Sequence, residues 1–135
     1  MKVIPISASA GLTGFESPAT EYSQLPLSLD DLLIEHPSAT FIGLASGDSM
    51  LGSGIHDGDV LIVDRHVHVE SGDVIVANIN GEFVCKIIDK SRRMLLSANE
   101  HYSPVAVSSC DRFTVEGVVI RSIRCHRPSR LLKLL

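Results

Sequence analysis

A serine in the first half of the chain has the surroundings of a nucleophile. Ser49 lies in Ala45-Ser46-Gly47-Asp48-Ser49-Met50, just after an apolar run. A serine in such a glycine-framed loop can expose its hydroxyl, and neighbouring free backbone N–H groups can bind an oxyanion. A simple polar turn at Gly47–Ser49 explains the same residue types, so this segment alone leaves both interpretations open.

A lysine within an apolar run is the second candidate. Lys86 lies in Glu82-Phe83-Val84-Cys85-Lys86-Ile87-Ile88. In a strand with a period of two, Val84 and Ile88 share its face, and the opposite face carries Phe83, Cys85 and Ile87. Burial among apolar groups lowers the pKa of a lysine, so a neutral amine becomes available as a general base near neutral pH. The alternative is an edge-strand lysine that reaches water or pairs with Glu82 or Asp89.

The chain around these residues has the pattern of short β-strands separated by turns rich in Gly and Asp. Aromatic residues make up 4%, without Trp, so Val, Ile and Leu must form the core, and they suit a pleated surface. Asn80-Gly81 between two apolar runs predicts a tight hairpin, because both residues tolerate positive φ. Without alternating helices, the pattern predicts a mainly β fold, a small antiparallel barrel or sandwich of short strands. The predicted strands are Thr40–Ala45, Val60–Val63, Val74–Ile79, Glu82–Ile88, Met94–Ser97, Val105–Val107 and Arg112–Ile120.

Both ends of the chain differ from this pattern. Residues 1–28 contain three of the six prolines and no sustained period, which predicts a flexible N-terminal arm. A short helix is predicted next, with Ser28 as N-cap, Asp31 at the third helical position and Pro37 enforcing the end. The predicted folded domain therefore spans 29–122, and a basic C-terminal tail spans 123–135.

Charge and composition limit the possible partners. At 135 residues, with 44% apolar and 21% charged, the chain has the size and composition of one globular domain. Five of its 12 basic residues lie in 121–135, which contain no acidic residue. The rest of the chain therefore has seven basic and all 16 acidic residues. Such an acidic body predicts no specific DNA binding of its own. The tail either contacts phosphate or an acidic partner, or is a solvated terminus.

The cysteines and possible metal ligands predict neither disulfides nor a cofactor. Cys85, Cys110 and Cys125 are odd in number and widely spaced, which indicates free thiols in a reducing compartment, the cytoplasm. No apolar run approaches the roughly 18 residues that cross a bilayer, so no membrane association is expected. Neither His66-x-His68 nor the turn Asp57-Gly58-Asp59 forms a recognised ligand set, and no metal is expected.

Four segments stand in a distinctive order along the chain: Ser46-Gly47-Asp48-Ser49-Met50, Gly54-Ile55-His56-Asp57-Gly58-Asp59, Gly81-Glu82-Phe83-Val84-Cys85-Lys86 and Phe113-Thr114-Val115-Glu116-Gly117-Val118-Val119. In order and spacing they resemble the peptidase domain of the LexA/UmuD family of self-cleaving serine peptidases, over residues 13–122. Two further segments resemble the UmuD-type members rather than the repressors: His36-Pro37-Ser38-Ala39-Thr40 and Asn99-Glu100-His101-Tyr102-Ser103-Pro104.

The resemblance implies a role for each site residue. Ser49 is then the nucleophile, Lys86 is its general base, and backbone N–H groups around Asp48 and Ser49 form the oxyanion hole. The substrate is the chain's own arm, with Thr13–Gly14 aligned to the scissile bond. Thr13 departs from the Ala or Cys that the family usually has there, and its β-branched side chain makes slow or lost cleavage an alternative. No metal or organic cofactor is needed.

The resemblance also implies a biological role in SOS mutagenesis after DNA damage. A RecA–single-stranded-DNA filament is expected to stimulate cleavage, and the cleaved form is expected to serve an error-prone translesion DNA polymerase. A cytoplasmic homodimer is the family expectation. One alternative keeps the fold and the polymerase partner as a non-cleaving accessory module. Another is a signal-peptidase-like enzyme acting on other chains, which normally requires a membrane anchor.

Overall fold

The computed structural model of the protein describes residues 27–130 and 132–134. The chain divides into two compact units, Met1–Glu35 and His36–Leu135. The predicted arm, 1–28, lies outside the described residues except for its last two. The predicted cleavage residues Thr13 and Gly14 also lie outside them, so the properties assigned to the arm remain predictions.

A short helix, α1 (Leu29–Leu33), lies in the first unit. Its N-terminus is capped reciprocally: the N–H of Asp31 donates to Ser28 Oγ at 3.1 Å, and the N–H of Ser28 donates to Asp31 Oδ2 at 3.1 Å. Two N–H groups that the helix leaves unpaired are thereby satisfied, and the predicted capping is confirmed. No helix in the described part of the chain is long and apolar enough to cross a membrane.

Seven strands lie in the second unit. They are β1 (Thr40–Leu44), β2 (Val60–Asp64), β3 (Val74–Ile79), β4 (Glu82–Asp89), β5 (Met94–Leu96), β6 (Val105–Ala106) and β7 (Phe113–Ile123). They form one sheet in the order β1-β2-β7-β3-β4-β5-β6, and neighbouring strands are antiparallel. Short 3-10 helices cover Pro37–Ala39, Leu51–Ser53 and Leu132–Leu134. The predicted mainly β, antiparallel fold is confirmed.

The hairpin between β3 and β4 determines which way Lys86 faces. Asn80 and Gly81 have φ angles of 52° and 89°, as a two-residue hairpin turn requires. The turn sets a register in which Ile75 pairs with Lys86. A slip of one residue would move every side chain of β4 to the opposite face. The predicted Asn-Gly turn is therefore confirmed, and it determines the face that carries the Lys86 amine.

Alternate residues of the strands contribute to two core clusters. The first contains Met50, Ile55, Leu61, Val63 and Val76, and the second contains Ile75, Ala77, Ile88, Leu95 and Val118. Because successive side chains of a strand point to opposite faces, the sheet is packed on both faces. Met50 is only 4% exposed, so the residue that follows Ser49 anchors the serine loop in the core.

The last strand of the sheet along the sequence, β7, lies inside the sheet between β2 and β3. Its pairing shifts register against both neighbours, which marks β-bulges. Gly117 passes so close to β2 that a Cβ there would lie 2.7 Å from Val63 Cγ1 and 3.0 Å from Asp64 O. Only glycine fits at this crossing unless β2 moves.

Candidate active site

Ser49 lies in the loop that follows β1, as the sequence predicts, and both ends of this loop are held. Gly47 adopts a φ angle of 88°, and its N–H donates to Asp57 Oδ1 at 2.8 Å. At the other end, Met50 is buried in the core. Ser49 is half-buried between these anchors. Among the described residues, no hydrogen-bond acceptor is bonded to the backbone N–H groups of Asp48 and Ser49.

An ion pair between a buried carboxylate and a partly exposed arginine supports the start of this loop. Asp59 is 2% exposed and accepts hydrogen bonds from Arg124 Nε at 2.9 Å and Nη2 at 2.8 Å. The hydrogen bond from Arg124 holds the pKa of Asp59 below its usual value. Arg124 also donates to Gly54 O at 2.9 Å and contacts His56 Nδ1. Because Ala45 N–H donates to Asp59 O at 2.9 Å, the pair is connected to the serine loop.

Arg124 belongs to the predicted basic tail, 123–135, of which it is the first arginine. The structure extends β7 to Ile123, and the contact with Asp59 makes Arg124 part of the folded domain. The acidic turn Asp57–Asp59 holds the serine loop through Asp57 and the C-terminal residues through Asp59.

Lys86 projects from β4 and is half-buried. Its Nζ donates to Ser97 Oγ at 2.8 Å and lies 5.3 Å from the ring centroid of Tyr102. Burial lowers the pKa of Lys86, against a smaller opposing effect of the Cys85 thiol. This is the direction that the sequence predicts.

The alternative pairing of Lys86 with an acidic neighbour is wrong. Asp89 accepts hydrogen bonds from Arg92 Nε at 2.7 Å and from Ser91 Oγ at 2.8 Å, and the Arg92 hydrogen bond lowers the pKa of Asp89 to about 2. Glu82 is exposed at the start of β4. Within the described residues, the hydrogen-bond partner of Lys86 is the neutral hydroxyl of Ser97.

Ser49 and Lys86 line the same cavity, whose volume is about 390 Å³. Its walls come mainly from β1, the serine loop and β4, with Leu61 of β2 and Val76 of β3, although β1 and β4 are not neighbours in the sheet. The lining is mostly apolar and includes Phe41, Leu44, Met50, Leu61, Phe83 and Cys85. In the described structure the Lys86 amine donates to Ser97, and no direct hydrogen bond joins the two candidate side chains.

A segment that the sequence did not assign to the site contacts Lys86 and the residues on either side of Ser49. We call Ser97–Tyr102, which follows β5, the bridging segment. Besides the contacts with Lys86, the Tyr102 hydroxyl donates to the Asp48 carboxylate, which raises the pKa of Tyr102. Asn99 Nδ2 donates to Asp48 O at 3.0 Å. Polar residues after a short strand carry no periodic signal, so only the UmuD-type resemblance of Asn99–Pro104 pointed to this region.

The remaining candidates from the sequence make contacts within the fold. The N–H of His66 donates to Asp64 Oδ1 at 2.8 Å, and Asp64 Oδ2 lies 2.6 Å from His36 Nδ1. His68 is exposed. Burial raises the pKa of Cys85, which favours a protonated thiol in the cavity wall. All three cysteines are free thiols, as predicted.

Comparison with known proteins identifies the family. The sequence profile of the family described as Peptidase S24-like matches residues 2–120. Protein ImpA of Escherichia coli is 41% identical over 106 residues, which cover 78% of this chain and 69% of ImpA. Protein MucA of Escherichia coli is 39% identical over 126 residues, 91% of this chain and 86% of MucA. The LexA repressor of a Shewanella species is 37% identical over 92 residues, 66% of this chain and 45% of the repressor. The chain therefore belongs to the Peptidase S24-like family, as a UmuD-like relative of LexA.

Proposed function

We propose that the protein is a serine endopeptidase that cleaves its own N-terminal arm, with Ser49 as nucleophile and Lys86 as general base. The main support is that both side chains line one largely apolar cavity in which burial lowers the pKa of Lys86. A lysine with a lowered pKa supplies neutral amine closer to neutral pH, and this amine can accept a proton from a serine hydroxyl. Membership of a serine peptidase family agrees with the proposal.

The proposed reaction has two halves. As Ser49 Oγ bonds to the carbonyl carbon of Thr13, the hydroxyl proton moves to Lys86 Nζ, and the N–H groups of Asp48 and Ser49 hold the oxyanion. The C–N bond to Gly14 then breaks while Lys86 protonates the leaving amine, which leaves an ester on Ser49. Water attacks this ester and passes a proton to Lys86. Lys86 returns the proton to Ser49 Oγ as residues 1–13 depart.

Cleavage between Thr13 and Gly14 is the proposed register. A second bond to glycine, Ala10–Gly11, lies close by, but only Thr13–Gly14 is followed at once by Phe15. The cavity lining is suited to an aromatic side chain, whose burial contributes roughly 1.5–3 kcal/mol. Tethering keeps the arm at a high local concentration, so a poorly activated serine can still react once the arm docks.

The proposed biological role is in SOS mutagenesis. A RecA–single-stranded-DNA filament stimulates the cleavage, and the cleaved cytoplasmic homodimer serves an error-prone translesion DNA polymerase. The support for this role is the family membership and the resemblance to UmuD-type members. The alternative is a polymerase-binding accessory module of the same fold that does not cleave itself, and the β-branched Thr13 before the bond is the observation that favours it.

Self-cleavage of the full chain tests the proposal. The protein is incubated with RecA, an ATP analogue and single-stranded DNA, and separately at an alkaline pH of about 10, where lysine loses its proton. Mass spectrometry should then show the loss of residues 1–13 and a new N-terminus at Gly14. The Ser49→Ala variant should stay intact in both incubations, with an unchanged thermal transition. Cleavage in that variant contradicts the assignment, and an intact parent chain supports the accessory-module alternative.

A further inference from the structure

The bridging segment, Ser97–Tyr102, contacts the lysine side of the proposed site through two different side chains. Ser97 Oγ accepts a hydrogen bond from Lys86 Nζ at 2.8 Å, and the Tyr102 ring lies against the same amine at 5.3 Å. Ser97 is half-buried, and Tyr102 is 43% exposed at the outer side of the contact. An amine with four rotatable bonds behind it is therefore restrained from two directions.

The same segment contacts the serine side at three points. Tyr102 donates to the Asp48 carboxylate, and Asn99 Nδ2 donates to Asp48 O at 3.0 Å. The N–H of Gly52 donates to Ala98 O at 2.6 Å. A Cβ on Gly52 would lie 2.7 Å from that oxygen, so the two backbones approach as closely as glycine permits. Residues on both sides of Ser49 are thus held by one short segment.

We propose that the bridging segment positions the Lys86 amine and the Ser49 loop relative to each other, with Ser97 and Tyr102 as positioning residues for the self-cleavage reaction. This inference rests on the proposed roles of Ser49 and Lys86. Ser49 follows β1 and Lys86 lies on β4, and in the sheet β2, β7 and β3 separate β1 from β4. The bridging segment supplies a direct connection that the sheet does not.

The contacts of the bridging segment also act on the charge of Lys86. The titratable groups around this amine in the described residues are the Cys85 thiol on β4 and the Tyr102 phenol, which is bonded to the Asp48 carboxylate. The Ser97 hydroxyl and the Tyr102 ring both favour the charged ammonium, by hydrogen bonding and by cation–π attraction. Removal of either contact should therefore lower the pKa of Lys86. It should also leave the Lys86 amine less well positioned.

The Ser97→Ala variant tests whether Ser97 affects the charge and position of the Lys86 amine or only stabilises the fold. The midpoint at which the Lys86 amine becomes reactive towards an acylating reagent, followed by mass spectrometry across pH, should fall by about 0.5 to 1 pH unit. The rate of self-cleavage above that midpoint should fall on the order of tenfold, because the amine is less well placed. Ser97→Thr keeps the hydroxyl and should restore both values. Ser103→Ala changes an exposed serine next to the segment and should alter neither.

Tyr102→Phe gives an independent test, because it keeps the ring and removes only the hydroxyl bond to Asp48. It should leave the Lys86 midpoint nearly unchanged and slow cleavage several-fold through the serine loop.

The outcomes distinguish this inference from the proposed function. An unchanged Lys86 midpoint in Ser97→Ala overturns the inference, and so does a shifted midpoint with an unchanged cleavage rate. Equal loss of rate in Ser97→Ala and Ser97→Thr also overturns it, because the hydroxyl would then have no role. If the parent chain does not cleave itself, the proposed function fails. The midpoint of Lys86 acylation alone then decides whether Ser97 affects the pKa of Lys86.

Discussion

Replacing Arg124 with Met should destabilise the protein by removing the partner of a buried carboxylate. Breaking a buried ion pair in this way costs about 3–5 kcal/mol. The Arg124 side chain is 41% exposed, so water can partly replace it, and Asp59 keeps a hydrogen bond from the His56 N–H at 2.8 Å. These two facts reduce the expected loss to about 2–3 kcal/mol. For a chain of 135 residues, the loss corresponds to a decrease in Tm of about 7–12 °C.

The effect of Arg124→Met should depend on pH in a defined direction. Arg124 lowers the pKa of Asp59 in the folded state, so the pair stabilises the fold fully above the unfolded pKa of aspartate, about 3.9. This contribution is lost as the pH falls through the lower folded pKa. The difference in stability between parent and variant should therefore be complete near neutral pH and shrink below about pH 4.

Thermal and urea unfolding, followed by circular dichroism, measure this difference in stability near neutral pH and below about pH 4. Arg127→Met is a matched control, because Arg127 is exposed in the same C-terminal region, and it should leave Tm nearly unchanged. The double variant Asp59→Asn/Arg124→Met should recover part of the loss, since no buried charge is then left unpaired. A Tm for Arg124→Met within about 2 °C of the parent at neutral pH would refute the assigned role of the pair.

Three further predictions concern the reaction and the sheet. Self-cleavage should accelerate as the pH rises through the lowered pKa of Lys86 and then level off, because the neutral amine is the base; a rate profile that stays flat from neutral to alkaline pH contradicts this role. Thr13→Ala should speed cleavage by removing a β-branched side chain beside the bond, and Gly14→Leu should stop it; a new N-terminus at Gly11, found by mass spectrometry, would disprove the register. Gly117→Ala should lower the free energy of unfolding by about 1–3 kcal/mol, because the new methyl group meets Val63 and Asp64 of β2. Gly43→Ala is the control: its Cβ would meet its nearest atom at 3.8 Å, so the loss should be much smaller. Equal losses in the two variants would contradict the close approach of β7 to β2.

Local features of the fold were predictable because their causes lie within a few residues. The N-cap of α1 depends on Ser28 and Asp31, three positions apart, and the β3–β4 turn depends on two residues that accept positive φ. Strand positions followed from apolar runs, with β7 showing the largest difference: it continues to Ile123, beyond the predicted end at Ile120. Loop position and apolar context drew attention to Ser49 and Lys86, and the resemblance to the LexA/UmuD family gave them their expected roles.

Features that depend on strand order were not predictable from these patterns. No periodicity in the sequence indicates that β7 lies between β2 and β3. The pairing of Arg124 with Asp59, 65 positions apart, therefore had no local signal in the sequence. The same is true of Ser97, which reaches Lys86 only because β5 pairs with β4. The sequence offered only neighbours of Lys86, Glu82 and Asp89, as alternative partners, and neither bonds to it in the described structure.

The central place of β7 has a consequence for the order of events during synthesis. In the sheet, β1 and β2, which precede and follow the Ser49 loop, are connected to β3 and β4 through β7, the last strand to leave the ribosome. A nascent chain that has emerged up to residue 112 already carries the arm, the serine and the lysine, but the strand that joins the two parts of the sheet is still missing. At about 5–20 residues per second, the 11 residues of β7 take roughly 0.5–2 s to emerge. The proposed peptidase would thus be unable to cut its arm until translation of the domain was nearly finished.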